Sequence, residues 1–98
     1  MLNNTFKKLD LNEIQLIDIR EQWEWEEYHL DQAILIPKDE LLMRMDEIDI
    51  TKPAYLICRT WMRTWFMSKI LKTYWFNIVN VEGGYVEYYN LNKEDNAD

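Results

Sequence analysis

The residues best suited to chemistry are the single cysteine, Cys58, and the two arginines near it, Arg59 and Arg63. A thiolate is a much stronger nucleophile than a thiol. Two neighbouring guanidinium groups favour the ionised form of a thiol, and so does the partial positive charge at the start of a helix. The pattern therefore predicts a nucleophilic cysteine. The alternative is a small buried residue with only a packing role.

A strand, a short polar loop and a helix are expected to position Cys58. Leu56 and Ile57, introduced by Pro53, form a short apolar run that favours a strand. From Thr64 onward the spacing of the apolar residues is helical. These residues are Phe66, Met67, Ile70, Leu71 and Tyr74. Cys58 is thus predicted to lie at the end of a strand, facing the first turn of a helix.

The remaining chain alternates between predicted strands and predicted helices. Strands are expected at residues 15–20, 33–36 and 77–81, with an edge strand around Thr5 and Phe6. Helices are expected at residues 21–28, 39–48 and 85–89. The acidic residues Glu24, Glu26 and Glu27 are expected to form a solvated helix face, and the tail at 91–98 is expected to fray.

This alternation indicates an α/β fold with a central, mainly parallel sheet and helices on both faces. Ligands of such sheets gather beyond the carboxyl ends of the strands. Asp18, Arg20 and Cys58 all lie at predicted strand ends of this kind. We therefore expect them to share one pocket, although they are far apart in the sequence.

Composition and charge restrict the classes of function. The 98 residues suit one domain, and a hydrophobic content of 48% argues against disorder. A net charge of −7 disfavours nucleic acid and anionic membranes as partners. One cysteine and one histidine are too few for a structural zinc site, so neither a metal nor a cofactor is expected. No apolar run approaches the roughly 20 residues of a membrane span, and the first residues do not resemble a signal peptide. A reducing, cytoplasmic setting is therefore expected.

Several short motifs, in their order and spacing, resemble the rhodanese-like sulfurtransferase family, and single-domain rhodaneses in particular. The similarity runs from about Leu16 to Tyr89. The matching segments are Leu16–Glu21 with Trp23 and Glu24, His29 with Ala33 and Pro37, Asp39–Leu41, Cys58–Thr64 and Val79–Gly84. The resemblance implies one rhodanese-like domain over residues 1–98, a three-layer α/β/α fold around a mainly parallel sheet.

The family also implies a reaction. Cys58 would take sulfane sulfur from a donor such as thiosulfate, form a persulfide, and pass the sulfur to an acceptor thiol or to cyanide. The loop would bind the donor through Arg59, Thr60, Trp61, Met62, Arg63 and Thr64, and its N–H groups would surround the terminal sulfur. The loop from Cys58 to Arg63 has six residues, one fewer than in related phosphatases, which favours sulfur over phosphate.

Three further residues are supporting residues by the same resemblance. Asp18 would hold an arginine near the loop. Arg20 would line the entrance or anchor the loop, and His29 would orient a turn by hydrogen bonding.

Large side chains stand where the family usually has glycine, at Trp61 in the loop and at Trp75 after the following helix. Strain is expected at Trp61, because a residue with a Cβ atom at positive φ costs about 1–2 kcal/mol. Two functions therefore stay open: an active sulfurtransferase, or a catalytically impaired binding or regulatory module whose loop is filled by Trp61. Trp61 and Trp65 either form an exposed rim for a protein partner or fold inward. A redox sensor at Cys58 is a third reading.

Overall fold

Four parallel strands form the sheet of the computed structural model, which describes residues 1–92. The order across the sheet is β2-β1-β3-β4. The strands are β1 (Gln15–Asp18), β2 (Ile34–Leu35), β3 (Ala54–Ile57) and β4 (Ile78–Asn80). The three main strand predictions and the strand before Cys58 are thus confirmed. The predicted fraying of residues 91–98 falls mostly outside the described residues.

Helices connect the strands and cover both faces of the sheet. They are α1 (Asn3–Phe6), α2 (Gln22–Glu27), α3 (Met62–Thr73) and α4 (Gly84–Tyr88), with 3-10 turns at Leu11–Glu13, Lys38–Glu40 and Met45–Glu47. The longest helix in residues 1–92 has 12 residues, and none of them is both long and apolar enough to cross a membrane.

The register of the sheet aligns the ends of its two central strands. Asp18 at the end of β1 pairs with Ile57 at the end of β3, directly before Cys58. Ile19 N–H then donates to Ile57 O at 3.0 Å. Asp18, Arg20 and Cys58 therefore lie at one carboxyl edge of the sheet, as the alternation of elements predicted.

Two apolar clusters, one on each face, follow from the alternation of side chains along the strands. Ile17 and Leu56 pack with Cys58 and with Met67 and Leu71 of α3. Leu16 and Ile57 pack on the opposite face with Phe6 of α1 and with Val81 and Tyr85. Each central strand is buried on both sides, which is typical of a parallel sheet between two helical layers.

The prediction of an edge strand around Thr5 and Phe6 was wrong, because this segment forms α1. Tertiary contacts determine its conformation. Phe6 is fully buried, and the Asn3 amide donates to the carbonyl oxygens of Glu82 at 2.7 Å and Gly84 at 3.1 Å. Such contacts are absent from local sequence patterns, which explains the error.

The prediction of one helix over residues 39–48 was also wrong, because two short 3-10 turns replace it. Arg44 has a non-helical ψ of 22° and separates the turns. Leu41 and Ile48 are buried, whereas Met43 is 79% exposed. The apolar stripe therefore does not lie on the sheet as a continuous face.

Candidate active site

Cys58 lies at the junction of β3 and the loop that leads into α3. Its side chain is fully buried, and its Sγ–H group faces Thr64 Oγ1 across 3.9 Å. Thr64 belongs to the first turn of α3, where its hydroxyl donates to Trp61 O at 3.0 Å. The helix begins at Met62, slightly earlier than predicted, and the cysteine faces its first turn as expected.

The start of α4 holds the backbone of the loop. Tyr85 N–H donates to Cys58 O at 3.1 Å, and Val86 N–H donates to Arg59 O at 3.0 Å. The C=O and N–H groups of a trans peptide point in opposite directions, so the N–H groups that follow these carbonyls point away from α4. The hydrogen bonds of α4 thus orient the peptide groups beside the cysteine.

Gly84 allows this close approach. Its φ is 53°, and a Cβ atom there would lie 2.2 Å from Cys58 O and 2.6 Å from Arg59 O. Any larger residue would push the loop away from α4. In the sequence, Gly83-Gly84 appeared only as the end of the matching segment Val79–Gly84. The pair of glycines was the available signal for a close contact between backbones.

Arg63, the last residue of the predicted loop, forms a two-point ion pair with Glu24 of α2. Arg63 Nη1 donates to Glu24 Oε1 at 2.6 Å, and Nη2 donates to Oε2 at 3.0 Å. Glu24 is only 7% exposed, so its assignment to a solvated face was wrong. Its spacing from Glu21 fits the reciprocal hydrogen bonding of a capping box, which the structure contains.

Arg63 also changes the acidity of Glu24. Burial alone would raise the pKa of this carboxyl group. The hydrogen bonds from Arg63 and from the Glu21 N–H, together with the positive charge of Arg63, outweigh burial and lower the pKa below its usual value of 4.5. Glu24 is therefore ionised at neutral pH and offsets the charge of Arg63.

Asp18 and Arg20 form a second ion pair, which is closed off from water. Arg20 Nη2 donates to Asp18 Oδ2 at 2.9 Å, and the two side chains are 1% and 0% exposed. Tyr85 Oη donates to the same carboxylate at 2.9 Å and accepts from Leu30 N–H at 3.0 Å. Burial lowers the pKa of Arg20, but the hydrogen bond and charge of Asp18 raise it overall.

Asp18 thus holds an arginine, but Arg20 does not line an entrance, because it is buried. Its guanidinium group reaches the backbone of α2 and the following turn, donating to Glu24 O at 3.4 Å and Tyr28 O at 2.7 Å. The aromatic rings of Tyr85 and Tyr28 lie 4.0 Å and 5.0 Å from it. Arg20 is therefore linked to the loop through α2, whose Glu24 binds Arg63, and through Tyr85, whose N–H donates to Cys58 O.

His29 packs on α2. Its ring stacks on Trp25 with centroids 3.6 Å apart, and its Nδ1 lies 2.7 Å from Trp25 O. Since a carbonyl only accepts, Nδ1 must carry the hydrogen. These contacts fix the ring relative to the end of α2.

Three aromatic residues and one methionine in and just after the loop are exposed and form what we call the aromatic rim: Trp61, Met62, Trp65 and Phe66. Each is 46–55% exposed, and the rings of Trp61 and Trp65 meet edge to face at 6.1 Å. A groove of about 1000 Å³ begins at Trp61 and Trp65 and extends along β4. A side chain that filled the loop would be buried, whereas Trp61 is 51% exposed.

Trp61 also avoids the expected backbone strain, since its φ is −149°. The positive φ occurs instead at Trp75, where it is 75°. Trp75 follows α3, and its N–H donates to Lys72 O while Phe76 N–H donates to Leu71 O. This is the Schellman ending of a helix, in which glycine is the usual residue.

Arg59 Nη2 donates to Asn92 O at 3.3 Å. Within residues 1–92, no group of three His, Cys, Asp or Glu side chains is arranged to hold a metal ion.

The comparison with known families agrees with this geometry. The sequence model of the Rhodanese-like domain family matches residues 4–91. The chain belongs to the rhodanese-like family. It is 36% identical over 84 residues to "Putative sulfurtransferase YtwF" of Bacillus subtilis (strain 168), covering 86% of this chain and 82% of YtwF.

Solved structures of similar fold extend this relationship. SSP1007 from Staphylococcus saprophyticus superimposes with a TM-score of 0.84 at 26% identity, covering 90% of both chains. Reduced Bacillus anthracis CoADR-RHD gives a TM-score of 0.82 at 30% identity, and the match covers 90% of this chain but 16% of that chain. The rhodanese-like fold also occurs as a small part of a larger protein.

Proposed function

We propose that this rhodanese-like domain is a sulfurtransferase that carries sulfane sulfur as a persulfide on Cys58. The supporting observation is the position of Cys58 at the end of β3, beside a loop whose carbonyls are held by α4 and whose Arg63 is held by α2. A peptide loop fixed on both sides can present its N–H groups to a negatively charged sulfur. The name of YtwF points to the same chemistry.

The reaction takes place in two balanced steps. The Cys58 thiolate attacks the outer sulfur of thiosulfate, the new S–S bond forms, and sulfite leaves with the electrons of the old S–S bond. An acceptor thiolate or cyanide then attacks the outer sulfur of the persulfide, and Cys58 leaves as a thiolate. Neither step needs an external oxidant or reductant, which suits the reducing cytoplasm that we propose as its location.

The proposed roles of the neighbouring residues follow from their contacts. Arg59, next to the nucleophile, attracts the anionic donor, and the loop from Thr60 to Thr64 encloses the transferred sulfur. Arg63 ties the loop to α2. Asp18 and Arg20 keep α2 in position, because Arg20 binds the backbone of α2 and of the turn that follows it. His29 orients the end of α2 through Trp25.

Intact mass spectrometry tests the proposal. After incubation with thiosulfate and removal of small molecules, the protein should gain the mass of one sulfur atom. A thiol should remove this mass, and Cys58→Ser should not acquire it. A wild-type protein without added sulfur would contradict the proposal.

One observation favours a second function, a rhodanese-like binding or regulatory module without turnover. Cys58 is fully buried, so a donor reaches its sulfur only after neighbouring atoms move. The aromatic rim is exposed and adjoins a groove, as expected of a site for a protein partner. This function predicts slow alkylation of Cys58, no persulfide, and a partner that protects Trp61 or Trp65.

Trp61→Gly separates the two functions. If Trp61 limits access to Cys58, the smaller residue should increase both alkylation and persulfide formation several-fold. Trp75→Gly is the matched control, because it makes the same change at the other end of α3. Equal rates in the wild type and Trp61→Gly would show that the indole does not obstruct the sulfur.

A further inference from the structure

We infer that Glu24 is a specificity-determining residue for the sulfur donor, because its carboxylate offsets the charge of Arg63 beside the loop. This inference rests on the proposed sulfurtransferase function and adds a donor preference to it. The carboxylate should weaken the binding of donors with two negative charges more than the binding of donors with one. The preference for singly charged donors should therefore be greater than in a loop where Arg63 kept its full charge.

The geometry of the pair supports the inference. Both oxygens of Glu24 accept from Arg63, at 2.6 Å and 3.0 Å, in the planar arrangement that binds a guanidinium group most firmly. The side chains are 9% and 17% exposed, so water screens the pair only weakly. Seen from the loop, the pair is a dipole rather than a positive charge.

The surroundings of the loop make this cancellation important. The chain has a net charge of −7, so an anionic donor approaches against the overall field. Arg59 and Arg63 are the two arginines of the loop, and Glu24 offsets one of them. Glu24 weakens the electrostatic attraction between Arg63 and the donor. This attraction is proportional to the charge of the donor, so the weakening is twice as large for a dianion as for a monoanion.

Thiosulfate and methanethiosulfonate form a matched pair of donors. Both carry a sulfane sulfur on an oxidised sulfur atom, but a methyl group in the second replaces one charged oxygen. The Cys58 thiolate attacks the outer sulfur of either donor. Sulfite leaves from the first donor and methanesulfinate from the second, each with the electron pair of the broken S–S bond.

The decisive variant is Glu24→Gln, which removes the charge and keeps an amide oxygen for the cap at Glu21. We expect KM for thiosulfate to fall about tenfold at low ionic strength and KM for methanethiosulfonate to fall about threefold, the square root of that factor. The difference should shrink near 1 M salt, where the Debye length is about 3 Å.

Two further variants assign the effect to the pair. Glu26→Gln makes the same charge change on an exposed residue of α2 that bonds to Gln22, and it should leave the KM ratio of the two donors near the wild-type value. Glu24→Gln combined with Arg63→Gln restores a neutral pair, so the ratio should also return toward the wild type. A purely structural role for Glu24 would instead reduce kcat for both donors alike.

Alkylation of Cys58 gives a readout that does not require sulfur transfer. Iodoacetate is an anion and iodoacetamide is neutral, and both alkylate a thiolate. Glu24→Gln should increase the ratio of the iodoacetate rate to the iodoacetamide rate about threefold at low salt, whereas Glu26→Gln should leave this ratio unchanged. Absence of a persulfide in the wild type, with this increase present, would overturn the proposed function but not the charge effect. An unchanged rate ratio in Glu24→Gln would overturn the inference itself.

Discussion

Two acid–arginine pairs lie at the carboxyl edge of the sheet, and they differ in their separation from water. Asp18 and Arg20 are 0% and 1% exposed, whereas Glu24 and Arg63 are 9% and 17% exposed. The Asp18–Arg20 pair, which we call the inner pair, is surrounded by Tyr85 and the backbone of α2. The Glu24–Arg63 pair, which we call the outer pair, joins α2 to the loop after Cys58.

The difference shows how burial changes the role of the same chemical group. Removal of one partner from a deeply buried pair leaves an uncompensated charge, which is more costly than the pair is stabilising. Removal of Glu24 leaves Arg63, whose side chain is 17% exposed, so water reaches its charge more easily than it reaches that of Arg20. The inner pair therefore contributes to the stability of the fold, and the outer pair is positioned to affect the charge of the site.

Asp18→Asn should give the largest effect. It leaves the Arg20 guanidinium group buried without its counter-charge, which destabilises by about 3–5 kcal/mol. Urea denaturation followed by circular dichroism measures the loss. Glu40→Gln, which alters an exposed pair with Arg44, is the control. A loss of stability close to that of the control would contradict the assignment of the inner pair to the fold.

Tyr85→Phe should give the next largest effect, because it removes only a hydroxyl group from the inner pair. Asp18 loses a donor at 2.9 Å, and Leu30 N–H loses its acceptor at 3.0 Å. Leaving buried polar groups with fewer partners costs about 1–3 kcal/mol. Tyr74→Phe, on a ring that is 48% exposed, serves as the matched control. Equal denaturation midpoints for the two variants would argue against the hydroxyl as part of the pair.

The strand and helix predictions around Cys58 were confirmed because local patterns specify them. The short apolar run before Cys58 and the helical spacing after Thr64 each require only neighbouring residues. The prediction failed at Thr5–Phe6, where contacts with distant residues determine the backbone. It also failed at residues 39–48, where the backbone leaves the helical conformation at Arg44. Sequence patterns do not contain that information.

Within the site, types of residue were predictable and pairings were not. Asp18, Arg20 and Cys58 were expected to share one pocket. They lie at one edge of the sheet, but all three are buried and none of them lines the groove beside Trp61. The partner of Arg63 was missed, because Glu24 lies 39 residues away in an acidic run whose members look alike in sequence. Backbone strain was expected at Trp61 and occurs at Trp75, since φ depends on the loop geometry and not on residue type.

The acid sensitivity of the outer pair should be a smaller effect. The folded pKa of Glu24 is lower than its unfolded value, so its contribution to stability is complete above about pH 4.5 and is lost as pH falls through the folded pKa. In that window the unfolded state binds more protons, and stability must fall with decreasing pH. Glu24→Gln should therefore flatten the acid limb of a stability–pH profile, by at most about 1.4 kcal/mol per pH unit.

Glu26→Gln makes the same chemical change two residues along α2, on a side chain that bonds to Gln22 and not to Arg63, and it should retain the wild-type slope. Denaturation midpoints measured from pH 6 to pH 3 compare the two variants directly. If both variants flattened the acid limb equally, the slope would reflect general charge repulsion, and the distinction between the outer pair and an ordinary surface carboxylate would disappear.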